Sequence, residues 1–179
     1  MGNLFTNLAA RRTICSTMTK ALDELDGRLI AALAEHPRVG VLELARMLGV
    51  ARGTVQARLG KLVDRGVITG FAPDVDLKGI GYAVLGFTSI EIAQGRLVDV
   101  VDHLRDIPEV LEVHATTGQG DLHCRVVART NEHLQHVVNR ILEVQGINRT
   151  TTVIALSEQI PLRVLPLVAR AAAREDTHE

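Results

Sequence analysis

The sequence predicts an α+β protein of two parts, in which three short helices precede a four-stranded sheet with two helices. Two observations predict this division. Up to about residue 65, apolar residues recur every three or four positions, which is the period of amphipathic helices. After residue 82, apolar runs of strand length alternate with two further helical stretches, in the order βαββαβ. A chain of 179 residues has room for two small domains of this kind.

The composition is that of a globular protein with an uneven charge distribution. Hydrophobic residues make up 46% of the chain, yet only three Phe and one Tyr are present, so the core must be mainly aliphatic. The formal net charge is -1. Residues 20–70 carry eight Lys/Arg and six Asp/Glu, whereas residues 71–179 carry ten and fifteen. Any anionic partner is therefore expected to bind the front half.

Neither a membrane span nor a cofactor is predicted. No apolar run approaches the roughly 18 residues that a membrane helix needs. Cys15 and Cys124 are too far apart to suggest a disulfide framework or a metal-ligand motif. These features predict a cytoplasmic protein.

Residues 1–19 are expected to form a flexible arm, because they show neither a helical nor a strand period. Met1 to Thr6 match the myristoylation pattern, but a pattern of six residues is common by accident. An alternative interpretation is an overlong start, with Met18 as the true initiator.

Residues 20–70 predict a winged helix-turn-helix. The first helix has an apolar stripe and ends before Pro37; the second is followed by Gly49; the third runs from about Arg52 to Asp64. The segment "VITGFAPDVD" predicts two short strands around Gly70, a small wing. The apolar stripes of the three helices are Leu22, Leu25, Leu29, Ile30 and Leu33; Val41, Leu44, Ala45 and Leu48; and Val55, Leu59 and Leu62.

The outward side of the third helix predicts a DNA contact. In a helix-turn-helix this helix enters the major groove, whose width suits one α-helix. Its exposed face carries four cations and a single acid, Asp64, which favours DNA over an ordinary solvated surface. The candidate DNA-binding residues are Arg52, Thr54, Gln56, Arg58, Lys61 and Arg65.

After a linker at residues 71–81, residues 82–160 predict a ferredoxin-like βαββαβ domain. The strands are expected at 82–92, 110–118, 122–130 and 147–156, and the helices around 97–104 and 134–142. Two helices can cover only one face of the sheet, and the first strand is apolar on both faces. The second face is therefore expected to be buried in a two-fold homodimer. The tail at 161–179 predicts a short helix over about 162–173, interrupted by Pro166, whose apolar side chains would add an assembly contact.

The front half resembles a known family. "LDELDGRLIAALAEHPRVGVLELARMLGVARGTVQARLGKLVDRGVITGF" is similar to the N-terminal domain of the Lrp/AsnC (feast/famine) transcriptional regulators, and residues 82–160 resemble their ligand-binding and assembly domain. The resemblance implies a sequence-specific regulator of transcription whose dimers assemble further, as far as an octamer, and which binds an amino-acid effector between subunits. One departure is Ala51, where the family has Ser or Thr, so the third helix lacks a capping hydroxyl.

The segment "TTGQGDLH" at 116–123 is the candidate effector site. Gly118 and Gly120 leave backbone N–H groups open to a carboxylate, and Asp121 could accept hydrogen bonds from an ammonium group. In the resembled family a corresponding turn belongs to the effector site, which implies the same role for these three residues. Thr116 and Thr151 are expected to line the pocket. An ordinary hairpin turn would have the same composition and stays an open alternative.

Three alternative functions would each require different features. A DNA-organising protein of the same architecture would need no ligand. A metal-responsive regulator would need His114, His123, His133 and His136 to converge, and no Cys or carboxylate completes such a set. An enzyme would need a catalytic triad, a carboxylate pair in a cleft or a phosphate-binding loop, and none of these motifs is present, so no enzymatic activity is predicted.

Overall fold

The structure, a computed structural model, describes residues 21–118 and 120–173. The chain divides into two compact units. The first unit comprises the residues up to Ala72 together with those from Leu162 onward, and the second comprises Pro73–Pro161. The expected N-terminal arm lies outside the described residues.

The first unit begins with three helices, as the apolar periods predict. They are α1 (Glu24–Glu35), α2 (Val41–Leu48) and α3 (Arg52–Asp64). Gly49 ends α2 with a φ of 70°, a left-handed conformation in which glycine has no Cβ to clash. The helices enclose an aliphatic core in which the most deeply buried side chains are Leu29, Leu44, Val55 and Leu62. The helix-turn-helix is confirmed.

The two strands of the expected wing are not formed. Val67 and Ile68 donate their N–H groups back to the Leu62 carbonyl, over 2.9 and 3.1 Å, and close the end of α3. No residue described between 66 and 83 has strand structure. Pro73, which lacks an N–H, stands where the second strand would need to pair.

A fourth helix completes the first unit. It is α6 (Leu165–Ala172), and it packs against α1, where Ala172 is 7% exposed. Pro166 lies in its first turn, where a missing N–H removes no helical hydrogen bond. The expectation that Pro166 interrupts this helix was wrong: the proline begins it.

The second unit is a four-stranded antiparallel sheet with two helices. In chain order it contains β1 (Val84–Ile92), α4 (Leu97–Arg105), β2 (Val110–Ala115), β3 (Leu122–Ala128), α5 (Asn131–Ile141) and β4 (Ile147–Ile154). The strands lie in the order β2-β3-β1-β4. Both the order βαββαβ and this arrangement are those of the ferredoxin-like fold.

Alternation along the strands separates a buried face from an open one. Ile90, Leu122 and Val126 point into a core shared with Leu104 of α4 and Ile141 of α5. On the opposite face, Val153 is 57% exposed. The other side chains with this orientation are Leu85, Phe87, Ser89, His123, Arg125, Val127 and Thr151. The two-sided apolar pattern of β1 is confirmed.

Among the residues that the structure describes, no helix is both long and apolar enough to cross a membrane.

Candidate functional site

Much of the outward face of α3, from Arg52 to Lys61, is exposed. Because Val55 and Leu62 are buried at i and i+7, the opposite side of the helix must face solvent. The exposed residues include four of the six candidate DNA-binding residues and two small residues that permit close approach of the backbone. They are Arg52, Gly53, Thr54, Gln56, Ala57 and Lys61.

The first turn of α3 has no side-chain cap. Ala51 occupies the N-cap position with extended dihedral angles, φ -65° and ψ 144°. Its carbonyl accepts the N–H of Thr54 over 3.0 Å, but a methyl side chain cannot accept the other free N–H groups. The departure noted in the sequence therefore has a structural consequence at this helix end.

The guanidinium group of Arg58 is occupied by two carboxylates, one in α1 and one in the residue before it. Its Nη1 donates to Oδ1 of Asp26 over 2.7 Å and also to Oδ2 of Asp23. Asp23 is the N-cap of α1, and its other oxygen accepts the N–H of Asp26 over 2.8 Å. Arg65, the sixth candidate, is partly buried near the end of α3.

The ion pairs affect both protonation equilibria. Burial raises the pKa of Asp23, but the hydrogen bonds from Arg58 and from the Asp26 N–H, with the guanidinium charge, outweigh it and lower the pKa below its usual value. The hydrogen bonds to Asp23 and Asp26 raise the pKa of Arg58. Both groups are therefore held in their charged forms.

The candidate effector turn is built on two glycines with positive φ. Gly118 has φ 103° and Gly120 has φ 90°, a region that side-chain-bearing residues rarely adopt. A Cβ on Gly120 would lie 3.3 Å from Cβ of Ser89 and 3.4 Å from the Ile90 carbonyl oxygen. The turn therefore lies close against β1 and requires glycine at position 120.

Asp121 fixes the turn to the end of β1. Its N–H donates to the Ile90 carbonyl over 2.8 Å, and its Oδ2 accepts the N–H of Ile92 over 2.7 Å. Across the turn, Thr116 donates its N–H to the Asp121 carbonyl, over 3.0 Å. The Asp121 side chain is exposed, so its carboxylate is open to solvent while one of its oxygens caps the strand.

Ser89 and His123, which are not among the five candidate effector-binding residues, adjoin this turn. Ser89 lies opposite Thr151 in the β1–β4 pairing, and its hydroxyl is 3.2 Å from Nδ1 of His123. The His123 ring stacks on Phe87 with a centroid distance of 5.8 Å. The alternation along β1 could have assigned Ser89 to the open face, but only the strand register shows that it neighbours both the turn and Thr151.

A separate cleft of about 270 Å³ lies elsewhere in the second unit. Leu85 and Val127 of the sheet line it, with Arg125 beside them. The remaining lining comes from the segments before β1 and after β4, including Asp76, Lys78, Tyr82 and Glu158. This mixture of charged and apolar groups makes the cleft a second place where a small ligand could bind.

The four histidines considered for a metal site are not grouped with other ligands among the described residues. Within the described part of the chain, no three His, Cys, Asp or Glu side chains are grouped as a metal ion would require. His133 accepts the N–H of Arg129 at Nδ1, and His114 pairs with His123 across β2 and β3. The metal-responsive alternative therefore has no support among these residues.

Comparison with known proteins agrees with both units. Residues 22–63 match the AsnC-type helix-turn-helix domain, and residues 85–165 match the Lrp/AsnC ligand binding domain. The regulatory protein AsnC of Escherichia coli is 33% identical over 147 residues, which are 81% of this chain and 97% of that protein. The HTH-type transcriptional regulator FL11 of Pyrococcus horikoshii is 29% identical over 150 residues, 84% of this chain and 99% of its own length.

Solved structures give the same result. The structure of Escherichia coli AsnC has a TM-score of 0.76 at 32% identity and covers 82% of this chain and 100% of that one. A regulator from Neisseria meningitidis in complex with L-Met has a TM-score of 0.72 at 22% identity, over 78% of this chain and 92% of that one. At that identity the similarity shows the fold alone.

These proteins are transcriptional regulators, so the prediction that the chain is not an enzyme is confirmed by its relatives. The exposed helix α3 and the ferredoxin-like unit agree with the two matched domains. The chain therefore belongs to the Lrp/AsnC family and is a DNA-binding transcriptional regulator with a ligand-binding domain.

Proposed function

We propose that this regulator binds specific DNA sequences through α3 and that a small zwitterion, an amino acid, controls its assembly on DNA. The observation that carries the proposal is the turn at 116–121, which presents glycine backbone and an exposed carboxylate from a fixed position on β1. Such a regulator would act in the cytoplasm, where its DNA lies.

The proposed DNA contact uses the exposed side of α3. Arg52 and Lys61 lie near opposite ends of that side and can neutralise phosphates, while Gln56 can pair with an adenine edge. Thr54 and Arg65 complete the set. Each phosphate contact contributes about 0.9 to the slope of log K against log salt concentration. Replacing Arg52 or Lys61 with Ala should therefore lower that slope by about one.

The proposed effector contacts follow from the charges of the turn. A ligand carboxylate would accept N–H groups near Gly118 and Gly120, because positive-φ glycines orient such groups into a concavity. An ammonium group would donate to the exposed carboxylate of Asp121. Thr116 and Thr151 would supply hydroxyls at its edge. The L-Met complex of the Neisseria meningitidis regulator supports an amino acid as a ligand that this fold can hold.

The proposed assembly starts from a dimer paired through the open sheet face and extends to a larger oligomer, with an octamer as the expected size. Val153 at 57% exposure and Leu156 at 98% would be unusual on the surface of a protein that stays monomeric. Leu162, which precedes α6 in the first unit, is also strongly exposed, at 87%. Deleting residues 161–179 should change the oligomer size measured by light scattering, and an unchanged size would exclude an assembly role for the tail.

The test is a titration of the full chain with each of the twenty amino acids, with thermal stability and oligomer size as readouts. A ligand at 100 times its Kd should stabilise the folded state by about 2.7 kcal/mol. Asp121→Asn keeps an acceptor for the Ile92 N–H but removes the negative charge, so it should abolish the shift. Gly120→Ala should do the same, because its φ of 90° is strained for alanine.

Arg125→Ala tests the separate cleft, which Arg125 lines, and its readout is the ligand-induced shift in thermal stability because Arg125 also lies on the open sheet face. If Arg125→Ala removes the response and Asp121→Asn does not, the effector binds in the cleft. If no amino acid changes stability or oligomer size while DNA binding persists, the alternative of a ligand-independent DNA-organising protein is correct.

A further inference from the structure

Arg58 is the residue of α3 whose position departs most from the expected role. It lies three residues after Val55 and four before Leu62, so it borders the buried stripe of the helix instead of the middle of the exposed face. Its side chain is 30% exposed. Arg52, by contrast, belongs to the exposed set with Gln56 and Lys61. The hydrogen bonds that the structure describes give its guanidinium group no acidic partner.

The partners of Arg58 lie on another helix. Asp23 and Asp26 occupy the N-cap and the third residue of α1, and both accept hydrogen bonds from the same nitrogen of Arg58. The ion pairs therefore join the start of α1 to the middle of α3. Together with the buried contacts of Val55 and Leu62, they hold this side of α3 against α1, and so bear on the direction in which its exposed side chains point.

Transfer of Arg58 from these acids to a DNA phosphate would be unfavourable. The side chain of Asp26 is only 10% exposed, so it would be left as a buried negative charge without a counter-ion. An exposed contact with a phosphate is screened by water and salt. It therefore stabilises the complex by less than the free energy lost when Asp26 loses its counter-ion. The two carboxylates would also repel the approaching DNA backbone if Arg58 did not neutralise them.

We propose that Arg58 is a positioning residue for DNA recognition: with Asp23 and Asp26 it holds α3 in the orientation that its neighbours need to read base edges, and it does not itself contact the DNA. This role rests on the proposed recognition by α3. It replaces the direct contact expected from the sequence for Arg58. It also gives the two acids at the start of α1 a function in DNA specificity.

The proposal and the direct-contact alternative predict opposite changes in specific DNA affinity when Asp26 is removed. If Arg58 contacted phosphate, removing Asp26 would free the arginine and remove a negative charge, so all DNA binding would strengthen. If Arg58 positions α3, removing Asp26 releases the helix, so specific binding weakens while non-specific binding stays equal or strengthens. The ratio of specific to non-specific affinity therefore separates the two roles.

The experiment uses the full chain and two DNA probes. One is a duplex enriched from a random-sequence pool by the wild-type protein, and the other is a shuffled duplex of the same composition. Asp26→Asn and Asp23→Asn are the test variants, and asparagine at position 23 preserves the N-cap acceptor. Asp64→Asn is the charge-matched control, because Asp64 is an exposed acid on α3 itself.

For Asp26→Asn we expect the affinity for the enriched duplex to fall about tenfold, a change of about 1.4 kcal/mol, with no loss on the shuffled duplex. Asp64→Asn should raise both affinities slightly. The double variant Arg58→Met with Asp26→Asn keeps the local net charge constant, so it should weaken binding to the enriched duplex without changing the salt slope. Lys61→Met should lower that slope by about one. Stronger binding of Asp26→Asn to both duplexes, or a slope reduced by one in the double variant, would overturn the proposal.

A readout without DNA keeps the inference testable if the wild type enriches no sequence. If the wild type enriches no sequence, the proposed sequence-specific function is contradicted. The contact of Arg58 with Asp23 and Asp26 can then still be tested by stability alone. Arg58→Met, Asp26→Asn and the double variant form a double-mutant cycle in thermal stability. Non-additive effects support the contact between α1 and α3, whereas additive effects would overturn it whatever the result with DNA.

Discussion

Gly27 of α1 and Ala172 of α6 are in such close contact that a Cβ built on Gly27 would lie 2.8 Å from Cβ of Ala172. Real Cβ atoms almost never approach this closely, so glycine is required for the helices to pack as they do. The contact makes α6, which follows the ligand-binding domain in sequence, part of the DNA-binding unit. The chain therefore passes between this unit and the ligand-binding domain twice, after Ala72 and before Leu162.

Gly27→Ala should destabilise the first unit by about 1–3 kcal/mol, because the added methyl group overpacks the contact with α6. The gain in helix propensity from glycine to alanine, about 1 kcal/mol, offsets part of this loss. Chemical denaturation followed by helical circular dichroism measures the net effect.

Two matched variants test the cause of that loss. Ala172→Gly removes the opposing methyl group, so the double variant with Gly27→Ala should recover most of the stability. Gly60→Ala on α3 adds the same methyl group where nothing lies within 4 Å, and it should be stabilising. Equal losses in Gly27→Ala with and without Ala172→Gly would show that the clash is not with α6.

The helices and strands could be predicted from the sequence because their apolar periods are strong and their ends are marked. Gly49 ends α2 as the sequence predicts, whereas Thr130, expected at the end of a strand, caps the start of α5. The wing could not be predicted correctly, since the segment around Gly70 has strand composition but finds no partner strand among the described residues. Pro166 was misinterpreted because a proline begins a helix as readily as it ends one.

The residues of the two candidate sites could be identified from the sequence, but their contacts with residues of other segments could not. The helical period places Arg58 beside the buried stripe of α3. It gives no indication that Asp23 and Asp26, at the start of α1, lie within hydrogen-bond distance of it. Similarly, the turn at Gly118 to Asp121 was identified from its composition, whereas its contact with Ser89 depends on strand register. Contacts between distant segments require the three-dimensional packing and leave no local signal.

Ala51→Ser should stabilise α3 by about 1 kcal/mol. A serine hydroxyl at the N-cap can accept a free N–H of the first turn, and Ala51 already has the extended dihedral angles that this position needs. Ala57→Ser is the control, because serine inside an exposed helix lowers stability by a few tenths of a kcal/mol. Denaturant midpoints of the two variants should therefore move in opposite directions. A shift of both in the same direction would contradict a capping effect.

Cys124 should be unreactive in the folded protein. Its side chain is fully buried in the sheet core, and burial raises the pKa of the thiol to about 11. The thiolate, which is the reactive form, is therefore scarce at neutral pH. In a Cys15→Ser variant, a chromogenic thiol reagent should label Cys124 only when denaturant unfolds the protein. Rapid labelling under native conditions would contradict the burial.

Acidification should weaken the contact between α1 and α3. The pKa of Asp23 is lower in the folded state than its ordinary value of about 3.9, so the ionised form is stabilised by folding. This contribution is fully present above the ordinary pKa and is lost as the pH falls through the folded-state pKa. Unfolding free energies measured between pH 6 and pH 2 should decrease below about pH 4.

Asp23→Asn isolates this contribution, because asparagine retains the N-cap acceptor but does not titrate. Its unfolding free energy should be lower than that of the wild type at pH 6, since the ion pair with Arg58 is removed. The difference should shrink as the pH falls below 4 and the wild-type carboxyl becomes protonated. Parallel pH profiles for the two proteins would show that Asp23 is not paired with Arg58 in solution, and Asp26 would then be the acid that joins α1 to Arg58.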